Sequence, residues 1–489
     1  LGFVVIECND RNADKAEFRR SPYMPIPECS RNLFSYLAKS EHPRLDLPST
    51  CCAALQITSN YATDPTNKTF SIFTGMIDSM SKPISLAALG SVLTILACAA
   101  FLFAGNGLFQ TLLPIRASQE GFSTSLIGLL GTAYFGGFAV GCFVGPKIIM
   151  IVGHVRAFAG LTAVLTVTFL AFPLYVDPVF WGIMRVIGGV CLAVLYIVVE
   201  SWLNDSSNNA NRGRIFSSYI IVTNIVTMAG QLMVTSYDTL APTLFIVVAM
   251  LICLSIVPLS LTPTLSPTPI PSARLQMRNL YKVSPVGVIG CLLSGGVEGA
   301  FWSLGPVFAQ GRGMATTDIA LLMAAFVFGG TLSQWPLGWT SDKIDRRIVI
   351  AALSFCTVVT GLLLGFGAIP DGVVIFVLAA AHGALMIPIY ALCISHANDN
   401  VPNTRMVETS GGLLLFFAIG ATMGPLSASA FMGDGRIGGL FIFIGVVLFS
   451  LGVFTVYRLV VDTNRTRSDK SHFAPTVAAS PSIFPLDSD

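Results

Sequence analysis

NGLFQTLLP, residues 106–114, and EGAFWSLGP, residues 298–306, are two versions of one phrase, and their relation decides the fold. Gly107 aligns with Gly299, Phe109 with Phe301 and Pro114 with Pro306, at an offset of 192 residues. The match continues along the chain. Phe135, Gly136 and Gly137 align with Phe328, Gly329 and Gly330 at an offset of 193, and YIVVESWLND (196–205) aligns with YALCISHAND (390–399) at 194. Three matches in the same order with nearly constant spacing mark an internal repeat.

Each copy is apolar. The 489 residues are 53% hydrophobic and 11% charged, where a soluble globular chain carries about 25% charged residues. Twelve apolar runs recur near 84–113, 123–145, 155–175, 179–200, 215–236, 240–262, 285–308, 317–338, 348–369, 372–395, 407–430 and 437–460. Each is close to the roughly 20 residues that carry a helix across a bilayer. The expectation is an all-α membrane protein of twelve transmembrane helices in two pseudo-symmetric six-helix bundles, 83–262 and 285–460. Between them, TPTLSPTPIPSARLQMRNLYKVSP is proline-rich and then basic, which suits a cytoplasmic linker over 263–284.

Lys and Arg collect in cytoplasmic loops. With the amino end inside, the inner connections hold eleven of them and the outer ones only Arg116, Arg312 and Arg436, so both termini are expected to be cytoplasmic. Seven cysteines fall singly inside apolar runs without metal-site spacing and read as packing residues. No metal and no cofactor are expected. Residues 1–82 are polar and without sustained periodicity, and 461–489 form a Ser- and Pro-containing tail; both are expected to be disordered. The chain begins with Leu, and Met76 and Met80 stand just before the first run, so a second expectation is that translation starts there and that the upstream stretch is mis-annotated.

A parallel six-plus-six repeat is the architecture of the major facilitator transporters, whose substrate site lies near the midplane between the halves. The sequence resembles that family in its motifs as well. PLGWTSDKIDRR (336–347) is similar to the family's loop G-x-x-x-D-R/K-x-G-R/K-R/K, with Gly338, Asp342, Lys343, Arg346 and Arg347 in register and Asp345 where the inner glycine belongs. RVIGG (185–189) resembles the family's R-x-x-Q-G, with Gly188 for Gln. GATMGP (420–425) looks like its G-x-x-x-G-P kink, displaced from the fifth span, which reads VTMAGQ; the loop after the second span lacks the acid. GHVRAFAG, LYIVVESWLN and LSQWPLG are similar to the YcaD-like group of bacterial facilitators over about residues 82–460, a resemblance that implies transport at the bacterial inner membrane without fixing a substrate.

Ionisable groups inside a span are costly, about 2.5–3.5 kcal/mol on insertion scales, and mark pathways or partners. Four lie within the runs: Arg185, Glu200, Glu298 and His382. Glu298 stands thirteen residues beyond Pro285, about 20 Å along the seventh helix, among Gly295, Gly296 and Gly299, with Trp302 one turn on. A desolvated carboxylate that exchanges a proton near neutral pH is what proton coupling requires; a helix-locking salt bridge is the other reading. The repeat mate of Glu298 is Asn106, which cannot titrate and is expected to hydrogen-bond substrate or a neighbouring helix. Arg185 lies at a depth comparable to Glu298, and the resemblance puts the first, fourth, seventh and tenth spans around the cavity, so the two are expected to interact or Arg185 to be a structural arginine. His382, mate of Gly188, titrates on one reading and satisfies a helix contact on the other. Tyr196, Trp302 and Tyr390 are cavity or interface aromatics.

Glu200 ends the fourth span, where the helix dipole calls for a cation nearby, and Arg156, Arg212 or Arg214 could serve. With Gly338, Asp342, Lys343, Arg346 and Arg347 in the second half, these residues read as a cytoplasmic gate or as topology determinants. No phosphate-binding loop, zinc-helix motif or nucleophile elbow occurs, so neither an ATP motor nor an enzyme is expected. The reading is a secondary active transporter, a monomer in the bilayer, moving a small molecule with protons and binding no nucleic acid. A receptor or scaffold on the same fold is the alternative.

Overall fold

A computed structural model describes residues 3–8, 15–21, 44–46, 86–207, 212–261, 277–367, 372–401 and 406–461. The chain divides into two units, Leu1–Pro83 and Ile84–Asp489. In the first, β1 (Phe3–Cys8), β2 (Lys15–Ser21) and β3 (Arg44–Asp46) form an antiparallel sheet in that order, with Phe3 opposite Ser21 and Lys15 opposite Asp46.

Among the described residues of the second unit, twelve helices are long and apolar enough to cross a membrane. The first half contains Leu86–Gln119, Thr124–Val152, His154–Ala171, Pro178–Asp205, Arg212–Leu232 and Thr243–Leu261. The second contains Pro285–Gly311, Thr316–Lys343, Arg346–Phe366, Val373–Asn398, Met406–Phe431 and Gly439–Val461. They are called the first to twelfth spans below. A short helix, Met277–Val283, precedes the seventh within the expected linker.

Local chemistry sets where these helices start. The Ser123 hydroxyl accepts from the Leu126 amide at the head of the second span. Asp177 takes the Val179 and Phe180 amides ahead of Pro178, and Ser284 takes the Gly287 amide ahead of Pro285. Each satisfies helix-start donors that nothing else reaches, and proline at the first position has no donor to lose. Gly153, at φ 81°, turns the chain between the second and third spans, a conformation that glycine adopts without a Cβ clash. The tenth span breaks at Ile387, because Pro388 cannot donate into the turn before it.

Backbones touch where glycines face one another, and the touching points repeat. Gly137 lies against the Val186 carbonyl and Gly189 against that of Tyr134, joining the second and fourth spans. In the eighth and tenth, Gly329 lies against the Ala380 carbonyl and Gly383 against that of Phe326. The mates are therefore Gly137 and Gly329 (329 − 137 = 192), not Gly137 and Gly330: the alignment of the second and eighth spans shifts by one residue from its sequence reading, while that of the fourth and tenth keeps its offset of 194 (383 − 189 = 194). Gly107 against Thr227 and Gly230 against Ala104 join the first and fifth spans, as Gly299 against Ala421 and Gly424 against Gly296 join the seventh and eleventh. These offsets are 192 in the earlier span of each pair and 194 in the later one (421 − 227 = 194), so two six-helix bundles share one packing plan.

The halves meet at the end away from the linker. Thr132 donates to the Thr422 carbonyl at 2.8 Å. A Cβ on Gly128 would meet Ser429, and one on Gly131 would meet Ser303 and Pro425. The second, seventh and eleventh spans are close-packed there.

Candidate functional site

Midway along the bundles a cavity of about 90 Å³ opens between the halves. One water needs roughly 10–15 Å³ measured this way, so the space admits more than a single bridging water. The first half contributes Asn106, Gln110, Tyr134, Tyr196, Asn224 and Thr227; the second contributes Trp302, Val327, Thr331, Gln334 and Ile387. The break before Pro388 brings Ile387 to this wall.

Asn106 and Tyr196 are brought together. The Asn106 amide nitrogen donates to the Tyr196 hydroxyl at 3.1 Å, while its Oδ1 meets no protein partner. Phe103 stacks on the Tyr196 ring at 4.7 Å and 5°, which fixes the phenol against the first span. Trp302 lines the opposite wall, its ring edge-on to Phe326.

Arg185 stands behind the first-half wall. Its Nη1 donates to Gln110 Oε1 and its Nε to the Leu130 carbonyl, both at 3.2 Å, and the guanidinium lies over the Tyr134 ring at 4.3 Å. These contacts fix it inside the first bundle, and the expected approach to Glu298 is not made directly. Both of its partners Gln110 and Tyr134 line the cavity, so its charge lies directly behind that wall.

Glu298 is 1% exposed, and neither carboxylate oxygen has a protein hydrogen-bond partner. It is absent from the cavity wall but lies one helical turn from Trp302, which belongs to it. Glycines on adjoining faces of the same helix, Gly295 and Gly299, press on the eleventh span. Buried polar groups are nearly always paired, so an orphaned carboxylate is a candidate for function. Tyr390 is buried and packs on Phe417. His382 is outside the cavity: Nδ1 bonds Thr360 Oγ1 at 2.9 Å, and the rings of Phe301, Phe326 and Phe441 surround it. One ring nitrogen thus makes a helix contact, while Nε2 is buried without a protein partner.

At the linker end, Arg346 is 1% exposed and ties the loop after the eighth span to the end of the tenth, through Asp342 at 3.0 Å and Asp399 at 2.8 Å. Gly338 is buried beside it, and its carbonyl accepts from Ser341. Lys343 caps the Trp339 ring at 3.3 Å. Asp345 accepts from the Arg347 amide at the head of the ninth span and pairs with the same residue's guanidinium at 2.8 Å. Burial raises the Asp345 carboxyl, but its bonds and attraction to Arg347, with the pull of His396, outweigh this and hold it below the usual carboxylate range.

The first half repeats the arrangement with different chemistry. His154, in the place of Arg346 (346 − 154 = 192), bonds Ser201 at 3.0 Å. Glu200 is buried with Oε2 unpartnered. Arg156 is exposed and makes no ion pair with it, and the side chains of Arg212 and Arg214 lie outside the described residues. The four ion pairs described each join residues of one half.

Sequence reasoning missed Gln110, Asn224, Thr227, Thr331 and Gln334. One signal was present: the polar wall residues fall in pairs at helical spacing, Asn106 with Gln110 and Asn224 with Thr227 in the first half, Thr331 with Gln334 in the second.

A family model described as Major Facilitator Superfamily matches residues 95–400 and 287–485. An uncharacterized MFS-type transporter of Enterobacter sp. (strain 638) is 29% identical over 371 residues, covering 76% of this chain and 94% of that protein. The uncharacterized MFS-type transporter YcaD of Escherichia coli O17:K52:H18 is 28% identical over 392 residues, covering 80% and 98%. Among solved structures, the nucleoside transporter NupG superposes with a TM-score of 0.62 at 12% identity, covering 77% of this chain and all of that one. A D-xylose-proton symporter gives 0.58 at 14%, covering 75% and 96%.

Proposed function

The chain belongs to the Major Facilitator Superfamily, a membrane transport family, and from that premise we propose that it is a proton-coupled secondary transporter working by alternating access. The family and the twelve apolar helices put it among multi-pass proteins of the bacterial inner membrane. The cavity between the bundles is the substrate site, with Asn106, Tyr196 and Trp302 in its wall. Both termini and the 263–284 linker are cytoplasmic, which makes the joined end of the bundles the outer end, and the protein acts as a monomer.

The observation that carries the coupling is Glu298. Its two oxygens have no protein partner within a span, and an ionised, unpaired carboxylate there costs several kcal/mol. Such a group is held with a proton bound and releases it when the bundles rock and water reaches it. Arg185, already engaged by Gln110 and Leu130, supports this by leaving the acid unneutralised. The D-xylose-proton symporter among the fold neighbours is consistent with proton coupling on this scaffold.

Glu298→Gln in proteoliposomes is expected to abolish uptake driven by a pH gradient and to leave solute exchange at equal pH intact. Gradient-driven accumulation by this variant at the wild-type level would overturn the coupling.

A further inference from the structure

Resting on the reading of this cavity as the substrate site, we infer that the solute is uncharged, carries several hydroxyl or amide groups, and has one planar face. The walls contain no Asp, Glu, Lys, Arg or His among the described residues. A charge taken out of water needs an opposite charge close by, and the wall supplies none. The ionisable groups behind the walls do not line the cavity: Arg185 is held by Gln110 over the Tyr134 ring, Glu298 lies one helical turn from Trp302, and Glu200 one turn from Tyr196. The carboxylate or ammonium of a charged solute would be left unpaired here.

Neutral hydrogen-bonding capacity is plentiful and part of it is uncommitted. Gln334 lines the cavity at 5% exposure, and among the described residues its amide has no hydrogen bond. Asn106 keeps Oδ1 as a free acceptor, having spent its nitrogen on Tyr196. Gln110 is engaged on both sides, its oxygen by Arg185 and its amide by the Tyr134 side chain, so it shapes the wall rather than offering a free donor. Asn224 and Thr227 add groups of both kinds from the fifth span. A buried polar group left unpaired is expensive, so a solute that satisfies them all is selected over one that cannot. The rings of Trp302, Tyr134 and Tyr196 line the same cavity and give a flat ring a surface to lie on. Hydroxyls or amides together with a planar ring define the class.

Thermal stabilisation of the detergent-purified protein tests this with uncharged aryl glycosides and nucleosides, each paired with its carboxylated and its aminated analogue. The neutral members are expected to raise the melting temperature and the charged analogues to bind at least about tenfold more weakly. Asn106→Ala should weaken neutral binding about tenfold, the worth of one hydrogen bond to a buried group, and Asn106→Asp should move the preference to the aminated analogue. Trp302→Leu should weaken the aryl members and spare acyclic polyols. Preference of the wild type for a charged member, or no response to any neutral member up to about 10 mM, overturns the assignment. Binding is read without a gradient, so neutral ligands that bind but are not moved in proteoliposomes would leave this inference standing and sink the transport reading instead.

Discussion

Asp345 departs from the family loop, and its contacts explain why the departure is tolerated. In place of a glycine it caps the ninth span and grips Arg347. Asp345→Ala is expected to destabilise the protein by about 1 kcal/mol, the usual worth of such a cap, read by thermal unfolding. The carboxyl is held below its usual range, so its contribution is complete above the unfolded value near about pH 3.9 and is lost as pH falls through the lower folded value. Wild-type and variant curves should therefore converge in strong acid and separate toward neutrality. At this scale the sequence was legible in part: Asn106, Tyr196 and Trp302 line the cavity, whereas Arg185, Glu298, His382 and Tyr390 do not. It was not legible for hydroxyls, because Thr and Ser in spans mostly bond their own helix, as Thr111 does to the Gly107 carbonyl and Thr331 to that of Val327. A polar residue in a span is therefore a weak sign of a wall. Nor could depth alone decide whether Arg185 meets Glu298, since two residues at one height can face different neighbours.

Helix pairs are joined through glycine in both bundles. A methyl group on Gly189 would overlap the Tyr134 carbonyl, and one on Gly383 the Phe326 carbonyl. Gly189→Ala and Gly383→Ala are each expected to cost about 1–3 kcal/mol, and by nearly equal amounts, since the same contact is lost in each bundle; unfolding temperatures of the two variants check both claims. Span positions could be read from hydropathy to within a few residues at most ends, because bilayer thickness sets their length. The register of the repeat could not. Gly136–Gly137 and Gly329–Gly330 are doublets that match themselves after a one-residue slip, and only the carbonyl facing each glycine resolves which member is structural. The break at Pro388 has no counterpart in the fourth span, which runs unbroken from Pro178 to Asp205, so the two bundles differ where one of them presents Ile387 to the cavity.

The unit Ile84–Asp489 is two bundles that meet at one end, with a cavity between them whose wall carries no charged side chain among the described residues. Thr132 and Thr422 sit on opposite sides of that junction, 2.8 Å apart through a hydrogen bond. A Thr132→Cys, Thr422→Cys pair, oxidised, is expected to arrest transport and a reductant to restore it; full activity of the cross-linked protein would show that the junction does not open during the cycle. The division into two related halves was readable from the opening phrases, whereas the joined end was not, since packing between bundles uses small residues that occur throughout the spans. The halves are also unequal in one respect: a carboxylate stands at position 298 and an amide at its mate, position 106. On the proposed reading, a neutral cargo that moves with one proton carried on Glu298 makes turnover electrogenic, with one positive charge moved per molecule. The cargo should therefore evoke a current on a protein-loaded supported membrane, driven by voltage even where no pH difference exists, and Glu298→Gln should silence that current.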